Sequence, residues 1–252
     1  LATRDDLPPK GPQGLRTWFE QRAQEQVRSY GGQVAISGKS RDEVIDEALQ
    51  LSPMILVDGA WFQRFGNAGL VDSPIGALLY QTYSDEIGNG QAALNHPNIY
   101  RALIQQMGIT LPATTSRAFA EFGRFDTESF EVPAFWLSVS LHTRRFLPEL
   151  LGLNLAMELS GVGGAYRSAR DELRLHGFST LFVDLHNTID NVSTGHSAMA
   201  LEAIEMHLDD LSRHAGADAT ARTWQRVRTG FAALTPPPRR WADRIAPPRY
   251  PH

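Results

Sequence analysis

The sequence predicts an all-α bundle of about eight to ten helices. Apolar residues recur three and four positions apart through most of the chain, which is the spacing of a helix face that packs on a core. Serine or asparagine, followed by proline or glutamate, marks the start of several such segments. No run of alternating strand-like residues is long enough for a sheet. We expect a single domain over residues 1–252, with an N-terminal arm at 1–12 and a proline-rich C-terminal tail at 235–252.

The composition narrows the classes of function. A net charge of −4, from 24 basic and 28 acidic residues, predicts no nucleic-acid surface and no anionic-membrane surface. The apolar stretches are far shorter than the roughly 20 residues of a membrane helix. The chain has no cysteine, which excludes disulfides, thiolate nucleophiles and sulfur-ligated zinc or iron–sulfur sites. We therefore expect a cytoplasmic protein with a small-molecule substrate.

Caps and periodicity predict the first helices. One helix is expected over residues 15–30, and Ser40 opens a capping box at the start of the next. Pro53 lacks a backbone donor and is expected to kink or break that second helix. An apolar helical pattern then resumes over residues 54–65, around the polar residue Asp58.

The segment SDEIGNGQAALNH, residues 84–96, places two potential metal ligands ten positions apart. Ser73, followed by proline, predicts a helix that runs to Glu86 and stops at Gly88. An Asn-His-Pro sequence opens the next helix at His96. His96 is therefore expected to face back toward the end of the preceding helix.

The second half of the chain is also predicted to be helical, with a loop at residues 161–164 and an irregularity in the helix, a flaw in its regular pattern, near Gly195. The expected helices are 116–122, 133–146, 148–159, 165–176, 180–213 and 218–234.

Glu158 is a candidate ligand because its neighbours at helical spacing include Leu151 and Leu155. A carboxylate on so apolar a face is costly unless a cation or hydrogen bonds compensate it. An exposed glutamate, or an ordinary buried ion pair, is the alternative.

His186 and Asp190 are four residues apart and share one helical face, and His196 follows six residues later. Two imidazoles and a carboxylate so close together favour a site for iron or another divalent metal. The alternative is that each histidine is an ordinary core or surface residue. Six residues turn a regular helix by roughly 600°, so His196 leaves the face of Asp190 unless the helix is distorted. The residues 193–195, Ser-Thr-Gly, are where a bulge or an unwound turn would be tolerated.

Three blocks together resemble the heme-oxygenase-like diiron oxidases and oxygenases, also called iron-containing redox enzymes. They read SDEIGNGQAALNHPNIYRALIQQMGI, FLPELLGLNLAMELSG and LFVDLHNTIDNVSTGHSAMA. The resemblance implies a heme-oxygenase-like helical bundle, two iron ions that alternate between Fe(II) and Fe(III), and O2 as co-substrate.

Carried over by residue, the resemblance implies metal ligation and a catalytic role for five residues: Glu86, His96, Glu158, Asp190 and His196. It also implies ligation by His186, at a position where some members place another ligand. The chain departs from the family pattern in having three additional residues before His196. The carboxylate expected from the first core helix has no clear match, and Asp58 is the nearest acidic residue. On this view Asp58 is a ligand. The alternative is that it forms hydrogen bonds beside the site without binding the metal.

The activity implied is O2-dependent oxidation of a small amine- or amino-acid-derived metabolite. The spacing of Glu86 and His96 resembles the N-oxygenating branch, so N-oxygenation is the narrower expectation. Oxidative C–C cleavage or desaturation of an amino or fatty acid, an enzyme with one iron or manganese ion, and a non-catalytic helical binding protein are the alternatives. Arg144 or Arg145 would pair with a substrate carboxylate, or else be solvated. The resemblance alone also allows a homodimer and an external electron donor.

Overall fold

The computed structural model describes residues 7–8, 11–30, 38–162 and 164–234. Its regular structure in these ranges is entirely helical, so the all-α prediction is confirmed. Short 3-10 segments occur at Ala60–Gly66, Ala92–Leu94 and Thr127–Phe130. The α-helices are α1 (Leu15–Ser29), α2 (Arg41–Ile55), α3 (Ala68–Val71), α4 (Pro74–Glu86), α5 (His96–Gln106), α6 (Arg117–Ala120), α7 (Glu131–Ser140), α8 (Leu147–Gly161), α9 (Gly164–Leu175), α10 (Leu181–Ile189) and α11 (His196–Ala233). Across these ranges every helix is too short or too polar to cross a lipid bilayer.

Three helix starts follow the predicted capping chemistry. Ser40, Ser73 and Asn95 each accept a hydrogen bond from a backbone N–H of the first helical turn. At Ser40 the reciprocal glutamate contact completes a capping box. These caps set where α2, α4 and α5 begin, and therefore the register of the residues that they carry.

The core is built around α8 and α11, which cross at close range. A Cβ added to Gly152 on α8 would lie 1.9 Å from the carbonyl oxygen of Val227. A Cβ added to Gly230 on α11 would lie 1.8 Å from the carbonyl oxygen of Glu149. Only glycine allows two backbones to approach so closely. α8 is buried on nearly all sides by this packing, which explains its apolar sequence.

Two helix boundaries differ from those predicted. Helix α2 continues through Pro53 to Ile55, so of the kink or break expected at Pro53 the break is wrong. The helical pattern expected over 54–65 is interrupted by a turn and becomes a 3-10 segment at Ala60–Gly66. Proline is tolerated here because only the last residues of the helix follow it, and a single backbone hydrogen bond is lost. The predicted helix over 133–146 ends early, at Ser140.

The predicted long helix over 180–213 is two helices. Helix α10 ends at Ile189 and α11 begins at His196, so the flaw near Gly195 is a complete interruption. Helix α11 then continues to Ala233 through a kink at Gly216, which has a φ of 79°. A helix boundary was expected here, between the helices predicted over 180–213 and 218–234. Glycine adopts the left-handed conformation of residue 216 at little cost.

The N-terminal arm lies partly outside the described residues, as do the whole tail 235–252 and the Gly31-Gly32 pair that was expected to end α1. Leu7 is 2% exposed, and the indole N–H of Trp224 donates a hydrogen bond to the carbonyl of Pro8. This part of the predicted arm therefore packs on the core.

Candidate metal centre

A tight turn brings His96 against Glu86. Gly88, Asn89 and Gly90 have φ values of 83°, 51° and 79°, so three successive residues adopt the left-handed conformation. A Cβ at Gly88 would lie 2.5 Å from the backbone nitrogen of Asn95, which excludes other residues there. The chain thus reverses between the end of α4 and the start of α5, as the sequence predicts.

A first group of side chains surrounds His96. Its Nδ1 contacts Oε2 of Glu86 and lies 3.6 Å from Oδ2 of Asp58. Nε2 of His186 lies 3.6 Å from the same Asp58 oxygen and 3.9 Å from Glu86 Oε2. One ligand atom from each of these four residues lies within 4.8 Å of all the others.

A second group surrounds His196. Its Nδ1 lies 3.2 Å from Oε1 of Glu86, 3.4 Å from Oε2 of Glu158 and 3.7 Å from Oδ1 of Asp190. Ligand atoms of Glu86, Glu158 and His196 lie within 4.8 Å of one another. Asp190 adds a further carboxylate at the edge of this group.

Glu86 belongs to both groups, and its two oxygens face different ones. Oε2 faces His96 and His186, whereas Oε1 faces His196. A carboxylate can bind two cations in this way, one through each oxygen. The arrangement is therefore two adjoining groups of potential ligands that have Glu86 in common.

The residues present suit a divalent cation. Four atoms of the cluster are buried close to one another but form no hydrogen bond of acceptable geometry among the described residues: Glu86 Oε2, His96 Nδ1, Asp190 Oδ1 and His196 Nδ1. Buried polar groups normally have partners, and each one left without a partner costs about 1–3 kcal/mol. Carboxylates and imidazoles inside a helical bundle are the donor set of known iron sites. This chemistry fits the predicted iron.

The protonation of the histidines reflects the surrounding carboxylates. Burial disfavours the charged form of His96, but the adjacent Asp58 and Glu86 carboxylates outweigh it and raise its pKa to about 9. Burial also disfavours charge on His196, yet the negative charge of Glu158 helps to raise the pKa of this imidazole far above its usual range. Both rings therefore lie in a strongly negative potential.

The surrounding groups shift the pKa values of Asp190 and Glu86 in opposite directions. Burial raises the pKa of Asp190 well above its usual value, and the negative charges of Glu158 and Glu86 raise it further. Burial also opposes ionisation of Glu86, but the neighbouring imidazoles of His196 and His96 lower its pKa. The raised pKa of Asp190 reflects the carboxylates gathered around it, a negative potential that a bound divalent cation would relieve.

Hydrogen bonds orient two of the imidazoles. Nδ1 of His186 donates to the carbonyl oxygen of Phe182 over 2.8 Å, which leaves Nε2 facing the cluster. Nε2 of His196 donates to Oδ2 of Asp85 over 3.0 Å, which leaves Nδ1 facing the cluster. Histidine ligands in metal sites usually donate their second nitrogen to an oxygen in this way.

The interruption between α10 and α11 accommodates the three additional residues before His196. The side-chain oxygen of Asn191 accepts hydrogen bonds from the backbone N–H groups of residues 193, 194 and 195. The hydroxyl of Ser197 lies 2.9 Å from the carbonyl oxygen of Glu158 and 3.2 Å from that of Asp190. His196 therefore reaches the cluster from the first turn of a new helix.

Sequence reasoning missed several residues at the site. Asp85 was assigned no role, although it directly precedes Glu86. Tyr166 stacks on His186 with 4.9 Å between ring centroids. A Cβ added to Gly161 would lie 2.1 Å from Oδ2 of Asp190. Only the position of Asp85 beside a candidate ligand could have indicated its role, because the other contacts join distant segments.

Arg144 and Arg145 do not lie among these candidate ligands. They line a surface groove of about 490 Å³ together with Arg64, and no residue of the metal cluster lines it. A side-chain nitrogen of Arg144 donates to the backbone carbonyl of Gly69.

Comparison with known proteins agrees with this chemistry. A family model described as "Iron-containing redox enzyme" matches residues 48–231, a range that contains every residue of the two groups. Neither the curated proteins nor the solved structures give a significant match. Because the matched range covers well over half of the chain, the protein belongs to the iron-containing redox enzymes, a family of iron oxidoreductases with a helical, heme-oxygenase-like fold.

Proposed function

We propose that the protein is a non-heme diiron enzyme that uses O2 to oxidise a small molecule. The observation that carries this proposal is the position of Glu86, whose two oxygens face two separate groups of potential ligands. A single metal ion would leave one of the groups, with its buried carboxylate and imidazole, without a partner.

Each iron ion would have its own set of ligands and share Glu86. Asp58, His96 and His186 would hold the first ion, and Glu158, Asp190 and His196 the second. The four carboxylates, when ionised, carry four negative charges, and two divalent ions balance them. Imidazole and carboxylate ligands suit iron in both of its common oxidation states.

Two Fe(II) ions would supply the two electrons that, with two protons, allow one atom of O2 to enter a substrate and the other to leave as water. The side chains of the cluster hold and orient the ligand atoms, and their burial limits access of bulk water. Since each turnover of this kind consumes two electrons, an external reductant is part of the proposal.

Amine N-oxygenation is the narrower form of the proposal. It rests on the resemblance of the Glu86 and His96 spacing to the N-oxygenating branch, and the substrate would be a small amine or amino-acid derivative. Oxidative C–C cleavage and desaturation use the same metal site and differ in the atom that is oxidised.

Anaerobic Fe(II) loading tests the diiron site. We expect two iron ions per chain and an absorbance change when O2 is admitted. Glu158→Ala should lower the ratio toward one and abolish the absorbance change, whereas Glu202→Ala, an exposed glutamate on α11, should match the wild type. A saturating ratio of one in the wild-type protein would favour the single-ion enzyme. No bound iron and no response to O2 would sink the enzyme proposal.

A panel of amines, amino acids and fatty acids then tests the substrate class. The expected result is that an amine shortens the lifetime of the O2-dependent absorbance and yields a product with one added oxygen atom. Acceleration by fatty acids alone, or a product that has lost carbon or hydrogen without gaining oxygen, would reject N-oxygenation and favour the alternative reactions.

A further inference from the structure

Asp85 accepts hydrogen bonds from two directions. Nε2 of His196 lies 3.0 Å from one of its carboxylate oxygens, and the side-chain nitrogen of Asn89 lies 2.7 Å from the other. The hydroxyl of Ser84 donates to the side-chain oxygen of Asn89 over 2.8 Å. We call these four residues the Asp85 hydrogen-bond chain.

The direction of each bond follows from the chemistry of the groups. An ionised carboxylate only accepts, so Asn89 presents its amide nitrogen and His196 its Nε2–H. Nδ1 faces Glu86 and Glu158, so when a metal ion displaces the proton of Nδ1, the proton that stays on Nε2 leaves the lone pair of the ring directed at the ion.

The Gly-Asn-Gly turn supports this chain. Asn89 has a φ of 51° and its backbone N–H donates to the carbonyl of Ser84 over 2.7 Å, so the turn itself returns the amide side chain to α4. Asparagine tolerates this left-handed conformation better than most residues. The turn therefore does more than reverse the chain between Glu86 and His96.

We propose that Asp85, held by Asn89, is a positioning residue that fixes the ring of His196 with Nδ1 toward the second iron ion. The inference rests on the proposed function, because it assumes that His196 binds metal. Partners that orient a metal-bound histidine typically change metal affinity 10- to 100-fold when they are removed. Asp85 contacts His196 and not His96 or His186. Its removal should therefore affect the second group of ligands and not the first.

Asp85 accepts two hydrogen bonds at once, one from His196 and one from Asn89, and substitutions can test this requirement. In Asp85→Asn the acceptor for His196 becomes a neutral amide oxygen, and the contact with Asn89 stays paired only if the Asn89 amide rotates by 180° and the Ser84 hydroxyl accepts. In Asn89→Asp two carboxylates face each other across this contact and neither can donate. The exchange Asp85→Asn/Asn89→Asp restores a donor–acceptor match at every contact, because the new carboxylate at 89 can accept from the new amide. Aspartate also tolerates the left-handed conformation at position 89.

Titration with Co(II) under anaerobic conditions measures both metal sites in the wild type, the two single variants and the double variant. We expect Asp85→Asn to weaken one of the two dissociation constants about 10- to 100-fold and leave the other within a few fold. Asn89→Asp should weaken the same constant, because its carboxylate faces that of Asp85, and the double variant should recover most of that loss. Asp210→Asn, which alters an exposed carboxylate beside His214, serves as the matched control and should bind both ions as the wild type does.

Urea unfolding of the same proteins without metal tests the hydrogen bonds themselves. The two substitutions should be non-additive, with the double variant more stable than the sum of the single effects predicts. Unchanged dissociation constants in Asp85→Asn, or additive effects in urea, would overturn the inference. If the wild type fails to bind two Co(II) ions, the proposed function fails instead, and the urea cycle still decides whether Asp85 and Asn89 act together.

Discussion

Replacing Gly161 by alanine should displace Asp190, a proposed metal ligand, with little loss of the fold. The new methyl group would lie 2.1 Å from Oδ2 of Asp190 and 2.8 Å from a ring carbon of Tyr166. The Asp190 oxygen would have to move about 1.3 Å to reach the 3.4 Å of ordinary contact. Metal–ligand distances tolerate only about 0.2 Å, so a displacement of this size would remove the Asp190 carboxylate from the proposed ligand set.

The cost in stability is smaller than the effect on metal binding. Overpacking typically costs about 1–3 kcal/mol, but the carboxylate of Asp190 is the movable end of a side chain and can rotate away. Alanine also favours the helix over glycine by up to about 1 kcal/mol at this last residue of α8. We therefore expect a net destabilisation of about 0–2 kcal/mol.

Urea unfolding and Co(II) titration measure the two effects separately. Gly161→Ala should retain cooperative unfolding and bind the second ion at least tenfold more weakly than the wild type. Gly123→Ala is the control, because a Cβ at Gly123 meets no atom within 4 Å. Wild-type affinity for both ions in Gly161→Ala would show that Asp190 is not a ligand and would refute the reasoning.

Three further predictions concern the scaffold, and each is measured by urea unfolding of the metal-free protein. Ser40→Ala should cost about 1 kcal/mol through loss of the α2 capping box, and an unchanged midpoint would mean that the cap does not stabilise the helix. Trp224→Phe should cost about 1–2 kcal/mol, because it removes the hydrogen bond to the Pro8 carbonyl and leaves a small void; a loss below 0.5 kcal/mol would indicate that residues 7–8 do not stay packed. Arg226→Ala should cost about 1 kcal/mol in dilute buffer and less in 1 M salt, because Arg226 binds both oxygens of Glu149 at the surface; an effect that salt does not reduce would contradict an ionic origin.

Local sequence signals account for the positions of Glu86 and His96. Ser73 and Asn95 set the starts of α4 and α5, and the Gly-Asn-Gly turn between the helices is short. Few conformations connect two helices across such a turn, so proximity of the two side chains could be predicted before any tertiary contact was known.

Other features depend on contacts that no local pattern records. Asp58 follows a proline-containing helix end, and its approach to His186 is set by the packing of α2 against the rest of the bundle. The bond between Asp85 and His196 joins residues 111 positions apart. Helix periodicity predicts which face is buried, but it does not predict which residues meet across two helices.

The region before His196 shows a different limit of prediction from sequence. Helical geometry indicated that a regular helix could not present Asp190 and His196 on one face, and the flexible residues before His196 were identified as the place for a distortion. Periodicity could not show that the distortion separates α10 from α11, because the apolar pattern continues on both sides. The capping role of Asn191 toward the following backbone N–H groups provides the physical reason for the break.

The central claim, that Glu86 is shared by two metal ions, is tested most directly by diffraction from anaerobically Fe(II)-loaded crystals at the iron absorption edge. The account predicts two anomalous peaks, one between Glu86 Oε2 and the imidazoles of His96 and His186, the other between Glu86 Oε1 and His196. A single peak at full loading, or two peaks of which one lies away from the Glu86 carboxylate, would contradict it.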